Sequence, residues 1–129
     1  MGISVEPCWS LVDAIINALN DPFWNVKTMA MGKISKAIKT KPEVVKKKLV
    51  ELATNDESPK VRAKAIKTLL KYFKSDKSLS SAYEAGIKDS SYRVLGASLN
   101  AIAALDAEKG LEIARTLEGI ESASVNNAI

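Results

Sequence analysis

The chain has 129 residues, of which 47% are hydrophobic and 26% are charged, as is usual for a globular domain with one core. Its 19 basic and 15 acidic residues give a net charge of +4, which is too small by itself to indicate a polyanionic partner. Histidine is absent and Cys8 is the single cysteine, which excludes histidine-ligated zinc, a histidine general base and an internal disulfide.

Apolar residues at helical spacing predict a succession of helices along the whole chain. Residues 1–10 are expected to be an irregular lead-in, native or derived from cloning. The predicted helices then cover, in chain order, about 11–20, 21–38, 42–53, 59–73, 79–87, 91–105 and 107–118. Gly119 is predicted to end the last of them. The sequence therefore predicts an all-α fold.

The stretch from Asp56 to Phe73 shows the pattern most clearly. Ser58 is suited to cap the first turn of a helix, and Pro59 suits the first helical position. Arg62 falls in the middle of the apolar face of this helix, so its charge needs a partner. Asp56, six residues earlier, is the predicted partner.

The same pattern of an aspartate, a valine and two aliphatic residues begins at Asp21, Asp56 and Asp89. The copies begin 35 and then 33 residues apart. A repeat of this length without strand signals predicts stacked helix pairs. We expect an α-α superhelix of about three pairs plus an extra helix, with repeats at 11–40, 41–75 and 76–106 and a partial one at 107–129. Since 124–129 is similar to the start of a further helix, we expect the chain to be a fragment of a longer protein.

The repeats resemble HEAT repeats, in which an aspartate and a basic residue six positions later form a ladder of hydrogen bonds between neighbouring repeats. The resemblance implies a structural ladder of Asp21, Lys27, Asp56, Arg62 and Asp89. The third repeat departs from the pattern, because Leu95 stands where the basic residue is expected.

Lysines on the exposed face of the helix at 59–73 raise the question of nucleic-acid binding, which needs cations along a groove. The equivalent positions in the sister repeats are mostly not basic, which favours a solvated face and disfavours nucleic acid. The predicted exposed positions on the inner surface, which are candidate contacts, are Asn25, Met29, Lys60, Lys64, Lys67, Arg93, Ala97 and Asn100.

A narrower resemblance rests on three segments: 20–26 (NDPFWNV), 88–106 (KDSSYRV leading to LD) and 108–118 (EKGLEIARTLE). Together they resemble the C-terminal helical-repeat domain of bacterial zinc aminopeptidases of the aminopeptidase N type, over about residues 11–129. In that family the zinc lies in a separate catalytic domain that carries an H-E-x-x-H helix. The resemblance therefore implies no catalytic residue, metal ligand or cofactor in this chain, and zinc only in the missing domain.

The leading hypothesis is a non-catalytic scaffold domain that packs on the catalytic domain of the same parent chain and shapes the access of peptides. One alternative is a HEAT-repeat scaffold for protein partners, unrelated to peptidases. Another is a HEAT-like protein that binds or repairs DNA. No apolar run reaches the length of a membrane helix, so a membrane partner is not expected.

Overall fold

The computed structural model describes residues 7–118, and side chains from residue 11 to residue 117. Within 7–118 the regular structure is helical and there is no strand, which confirms the all-α prediction for this part of the chain. The predicted helix end at Gly119 and the predicted start of a further helix at 124–129 lie outside the described residues. So do residues 1–6 of the expected lead-in.

The helices follow one another with short connections. Their bounds are α1 Pro7–Ala18, α2 Trp24–Gly32, α3 Ser35–Thr40, α4 Pro42–Asn55, α5 Pro59–Tyr72, α6 Ser80–Ile87, α7 Tyr92–Leu105 and α8 Ala107–Glu118. A short 3-10 helix, Lys77–Leu79, precedes α6. None of the helices in the described range is long and apolar enough to cross a bilayer.

Two differences from the predicted helices lie near the N-terminus. Helix α1 begins at Pro7, inside the stretch expected to be irregular, because proline is favoured at the start of a helix. The helix predicted over 21–38 is divided into α2 and α3. The division follows Gly32, which has low helix propensity, and the Lys33 amide turns back to the Ala30 carbonyl at 3.0 Å.

The chain divides into two compact units, with the boundary between Lys48 and Leu49 inside α4. In the first unit, α1 packs against α2 and α3. The buried side chains of these three helices and the turn between α2 and α3 are Val12, Ile15, Leu19, Ala30, Met31, Ile34 and Ala37. The ammonium of Lys41 lies 3.4 Å from a carboxylate oxygen of Asp13 and ties the end of α3 to α1.

Helix α7 is the centre of the second unit, because it packs against α5, α6 and α8. Leu95 and Leu99 on α7 form a core cluster with Ala114 and Leu117 on α8. On the side of α6, Gly86 allows a close approach: a Cβ atom at this position would lie 1.8 Å from the Ser98 hydroxyl oxygen. The position therefore requires glycine as long as Ser98 faces it.

Candidate functional site

Three of the connections between helices have the same local geometry, and each is built on one of the repeated aspartates. The carboxylate of Asp21 accepts the Phe23 amide at 2.9 Å, that of Asp56 accepts the Ser58 amide at 3.0 Å, and that of Asp89 accepts the Ser91 amide at 2.8 Å. An aspartate that binds the amide two residues later closes a tight turn. The aspartates therefore set the direction in which α2, α5 and α7 begin.

The residue before each of these helices is also the same in its backbone conformation. The φ and ψ angles are −90° and 129° at Phe23, −89° and 124° at Ser58, and −91° and 124° at Ser91. None of the three makes a side-chain hydrogen bond to its helix. The prediction that the Ser58 side chain caps α5 is therefore wrong, because the turn is closed by Asp56 instead.

Arg62 joins two of these turns. Its Nε donates to Asp89 Oδ2 at 2.8 Å and its Nη2 donates to Asp89 Oδ1 at 3.0 Å. Its Nη1 donates to the main-chain oxygens of Asp56 at 2.7 Å and Glu57 at 3.2 Å. The carboxylate bound by Arg62 is thus that of Asp89, and Asp56 contributes its carbonyl oxygen.

Both side chains of the Arg62–Asp89 pair are largely buried, at 15% exposure each. Burial acts to raise the pKa of Asp89, but the hydrogen bonds from Arg62 and from the Ser91 amide, with the Arg62 charge, outweigh it and lower that pKa. Asp89 therefore stays ionised at neutral pH and holds the start of α7 against α5. Leu95, which occupies the position of Arg62 in α7, is buried at 5% exposure.

The remaining ladder residues predicted from the sequence, Asp21 and Lys27, lie at the turn before α2 and in the first turn of α2. Of the predicted inner-surface residues, seven are exposed: Asn25, Met29, Lys60, Lys64, Lys67, Arg93 and Asn100. Ala97 is only 5% exposed, so the prediction of an exposed contact at this position is wrong. It lies on α7, where packing by three helices leaves little free surface.

A cavity of about 230 Å³ lies in the second unit between the 3-10 helix, α6, α7 and the start of α8. Its lining residues are Lys77, Ser80, Glu84, Ile102, Leu105, Asp106 and Lys109. The Lys109 ammonium lies 2.6 Å from Glu84 Oε2, and the hydrogen bond and charge of Glu84 raise the pKa of Lys109. Asp106 caps α8 by accepting a hydrogen bond from the Lys109 amide at 3.2 Å.

This cavity was not predicted, and the reason lies in the spacing of its charged pair. Glu84 and Lys109 are 25 residues apart and lie on different helices. A pattern in the sequence brings together residues three or four positions apart on one helix, and no such spacing relates these two. Only the packing of α6, α7 and α8 places them side by side.

The pKa shifts that are resolved, for Tyr83, Asp89 and Lys109, do not tune these groups for proton transfer near neutral pH. Burial and the nearby charge of Asp76 raise the pKa of Tyr83 to about 12. The pKa of Lys109 is raised and that of Asp89 is lowered, so each resolved shift moves the group away from neutrality. A general acid or base works best with a pKa near the operating pH.

Metal ligands are likewise not assembled within the described residues, where no three acidic or cysteine side chains come together. With no histidine in the chain, the residues present do not fit a catalytic zinc site of the aminopeptidase kind.

In the first unit, an apolar groove of about 160 Å³ lies between α1 and α2. It is lined by Ala14, Ile15, Ala18, Val26, Met29, Ala30 and Lys33. Met29 is 61% exposed.

Comparisons with protein-family models, with curated proteins and with solved structures gave no significant match for this chain.

Proposed function

We propose that this chain is a non-catalytic scaffold domain, a HEAT-like α-α superhelix of the kind found at the C-terminus of zinc aminopeptidases. The observation that carries the proposal is the recurrence of one turn geometry before α2, α5 and α7, with the same aspartate hydrogen bond in each. A unit repeated in this way is typical of proteins that build a surface by stacking helix pairs.

The Arg62–Asp89 contact supports the same proposal. It connects the first turn of α5 with the turn before α7, which lie at equivalent positions within the consecutive predicted repeats 41–75 and 76–106. In the proposed arrangement, such contacts keep neighbouring repeats in register, and the partner is the catalytic domain of the same parent protein. The domain would limit which peptides reach the zinc of that other domain.

The purified chain provides a direct test. We expect no hydrolysis of aminoacyl anilides, either with or without added zinc, because the chain has no histidine and no three acidic or cysteine side chains come together among the described residues. Zinc-dependent hydrolysis by the pure chain would overturn the proposal. An H-E-x-x-H segment encoded upstream in the same reading frame would support the peptidase assignment.

A scaffold for a protein partner unrelated to peptidases is the second candidate. It is favoured by the apolar groove between α1 and α2, where Met29 is exposed, since exposed apolar surface often marks contact sites on proteins. Further repeats encoded upstream, in place of a histidine pair, would select this candidate.

A further inference from the structure

The surface of α5 is unusual in what it exposes. From Lys60 to the end of the helix, every exposed side chain is a lysine, namely Lys60, Lys64, Lys67 and Lys71, which we call the lysine row. The residues beside the row are buried, with Ala63 at 2% and Thr68 at 5% exposure. At ~100° and ~1.5 Å per residue, the row occupies an arc of about 60° and a length of about 16 Å.

The lysines from Lys64 onward lie farther along α5 than Lys60, which is close in the chain to the acidic residues Asp56 and Glu57. Neither α5 nor α7, which pack together, contains an aspartate or a glutamate. Among the described residues, no carboxylate lies within ion-pair distance of Lys64, Lys67 or Lys71. The carboxylate that forms an ion pair with α5 is that of Asp89, and its partner is Arg62.

The acidic residues in the described part of the second unit lie on α4, α6 and α8 and in the connections between helices. Glu84 is on α6, and Glu108 and Glu112 are on α8. On α7 the exposed positions equivalent to Lys60 and Lys67 are Arg93 and Asn100, which add one cation and no anion. The paired helices α5 and α7 therefore collect positive charge while the acidic residues are on other elements.

We propose that the lysine row binds the sugar–phosphate backbone of a nucleic acid without reading its sequence. Lysine is depleted in protein–protein interfaces, whose centres are apolar, and the exposed part of α5 offers no apolar side chain between its lysines. A lysine ammonium is a compact point charge suited to phosphate oxygens. Cations at intervals of about 4.5–6 Å along a helix can meet successive phosphates of one strand.

The sister repeats explain why the site is small. Their equivalent positions are mostly not basic, so the contact is confined to the three or four phosphates that one helix reaches. Since each neutralised phosphate releases counterions, the binding is weak and strongly salt-dependent. The proposal does not depend on the peptidase assignment.

The experiment measures fluorescence anisotropy of a labelled duplex of about 20 base pairs and of a single strand of equal length, at about 50–200 mM salt. The test variant is Lys64→Gln/Lys67→Gln/Lys71→Gln. The matched control is Lys33→Gln/Lys36→Gln/Lys39→Gln, which removes the same charge from exposed positions in the first unit. Circular dichroism verifies that both variants keep the helical fold.

We expect the wild type to bind with a slope of log affinity against log salt of about −3, and the test variant to lose about 2.7 of that slope. Its affinity at about 50 mM salt should fall at least tenfold, while the control keeps the wild-type slope. A comparison of duplex and single strand then identifies which form fits the row better.

Three results would overturn the proposal. The first is no binding of either nucleic acid at about 50 mM salt. The second is an equal loss in the test and control variants, which would indicate a general charge effect. The third is binding of polyglutamate as tight as that of the nucleic acids, which would assign the row to an acidic polypeptide.

Discussion

At the scale of single residues, Arg62 shows how a charge is accommodated on a buried helix face. Its guanidinium makes two bonds to the Asp89 carboxylate and further bonds to main-chain oxygens. A lone charge in this place would be costly, whereas a planar guanidinium can satisfy several acceptors at once. The pair therefore contributes to stability mainly because loss of either partner leaves the other unsatisfied.

We expect Arg62→Met to lower the free energy of unfolding by about 1–3 kcal/mol, because Asp89 would keep only the Ser91 amide as partner. Arg62→Lys should also lower the free energy of unfolding, though by less than Arg62→Met. One ammonium cannot form the bidentate contact with Asp89 and also reach the carbonyl oxygens. Urea denaturation followed by circular dichroism gives the measurement.

The matched control for this prediction is Lys109→Met, which breaks the pair with Glu84. Both side chains of that pair are nearly half exposed, so solvent screens the interaction and the change in stability should be much smaller. Equal effects of Arg62→Met and Lys109→Met would contradict the role assigned to Arg62.

At the scale of helices, the sequence was most informative where proline and aspartate mark the connections. Pro42 and Pro59 begin α4 and α5, and the apolar spacing places Val61, Ile66 and Leu69 on a buried face, as observed. The break between α2 and α3 was not predicted, because one glycine inside a helical pattern is often tolerated. Its effect here depends on packing, which a pattern does not contain.

The contact between α6 and α7 depends on Gly86 and Ser98. We expect Gly86→Ala to lower the free energy of unfolding by more than about 2 kcal/mol, because the new methyl group would overlap the Ser98 side chain. Gly86→Ala/Ser98→Gly should recover part of that loss, since the second change removes both overlapping atoms. Thermal and urea unfolding of both variants measure the difference.

Gly32→Ala is the control for this prediction. Apart from its chain neighbours and the backbone of its own helix, no atom lies within 4 Å of the position of its new methyl group, and alanine has a higher helix propensity than glycine. Its stability should be unchanged or higher. If Gly86→Ala were as stable as Gly32→Ala, α6 and α7 could move apart to admit the methyl group without loss of unfolding free energy, and the prediction would be wrong.

At the scale of the whole molecule, the absence of histidine shapes the response to pH. Histidine is the side chain whose ordinary pKa lies between about 5 and 8, so we expect a flat unfolding free energy over that range. Below this range, the ionisation of Asp89 makes the free energy of unfolding depend on pH. Its pKa in the folded protein lies below the ordinary value of 3.8, so its contribution is present above that value and is lost as pH falls through the folded pKa.

Asp89→Asn should therefore be less stable than the wild type at neutral pH, and the difference should narrow as the pH falls below about 3.8. Urea midpoints measured across the acid range give this comparison. In an Arg62→Met background the two contributions of Arg62 that lower the pKa of Asp89 are lost and burial, which raises it, remains, so the advantage of the wild-type Asp89 over asparagine at neutral pH should vanish or reverse. A difference between wild type and Asp89→Asn that stays constant with pH would contradict the assignment.

The helical class and most helix positions followed from the spacing of apolar residues, whereas the candidate surfaces followed only in part. The partner of Arg62 was sought at Asp56, which is near in the sequence, and the carboxylate proved to come from Asp89. The same limit applies to the cavity at Glu84 and Lys109. The lysine row was visible as a pattern, but the packing of α5 against α7, a second helix without acidic residues, was known only from the structure.

The central position of α7 also has a kinetic consequence. Its partners α6 and α8 adjoin it in the chain, and the Arg62–Asp89 contact with α5 spans 27 residues. Contacts this local require little loop-closure entropy, and helical proteins with such topology fold in microseconds to milliseconds. The second unit can thus form by successive docking of neighbouring helices onto α7, and the rate of that process depends on how early α7 becomes ordered.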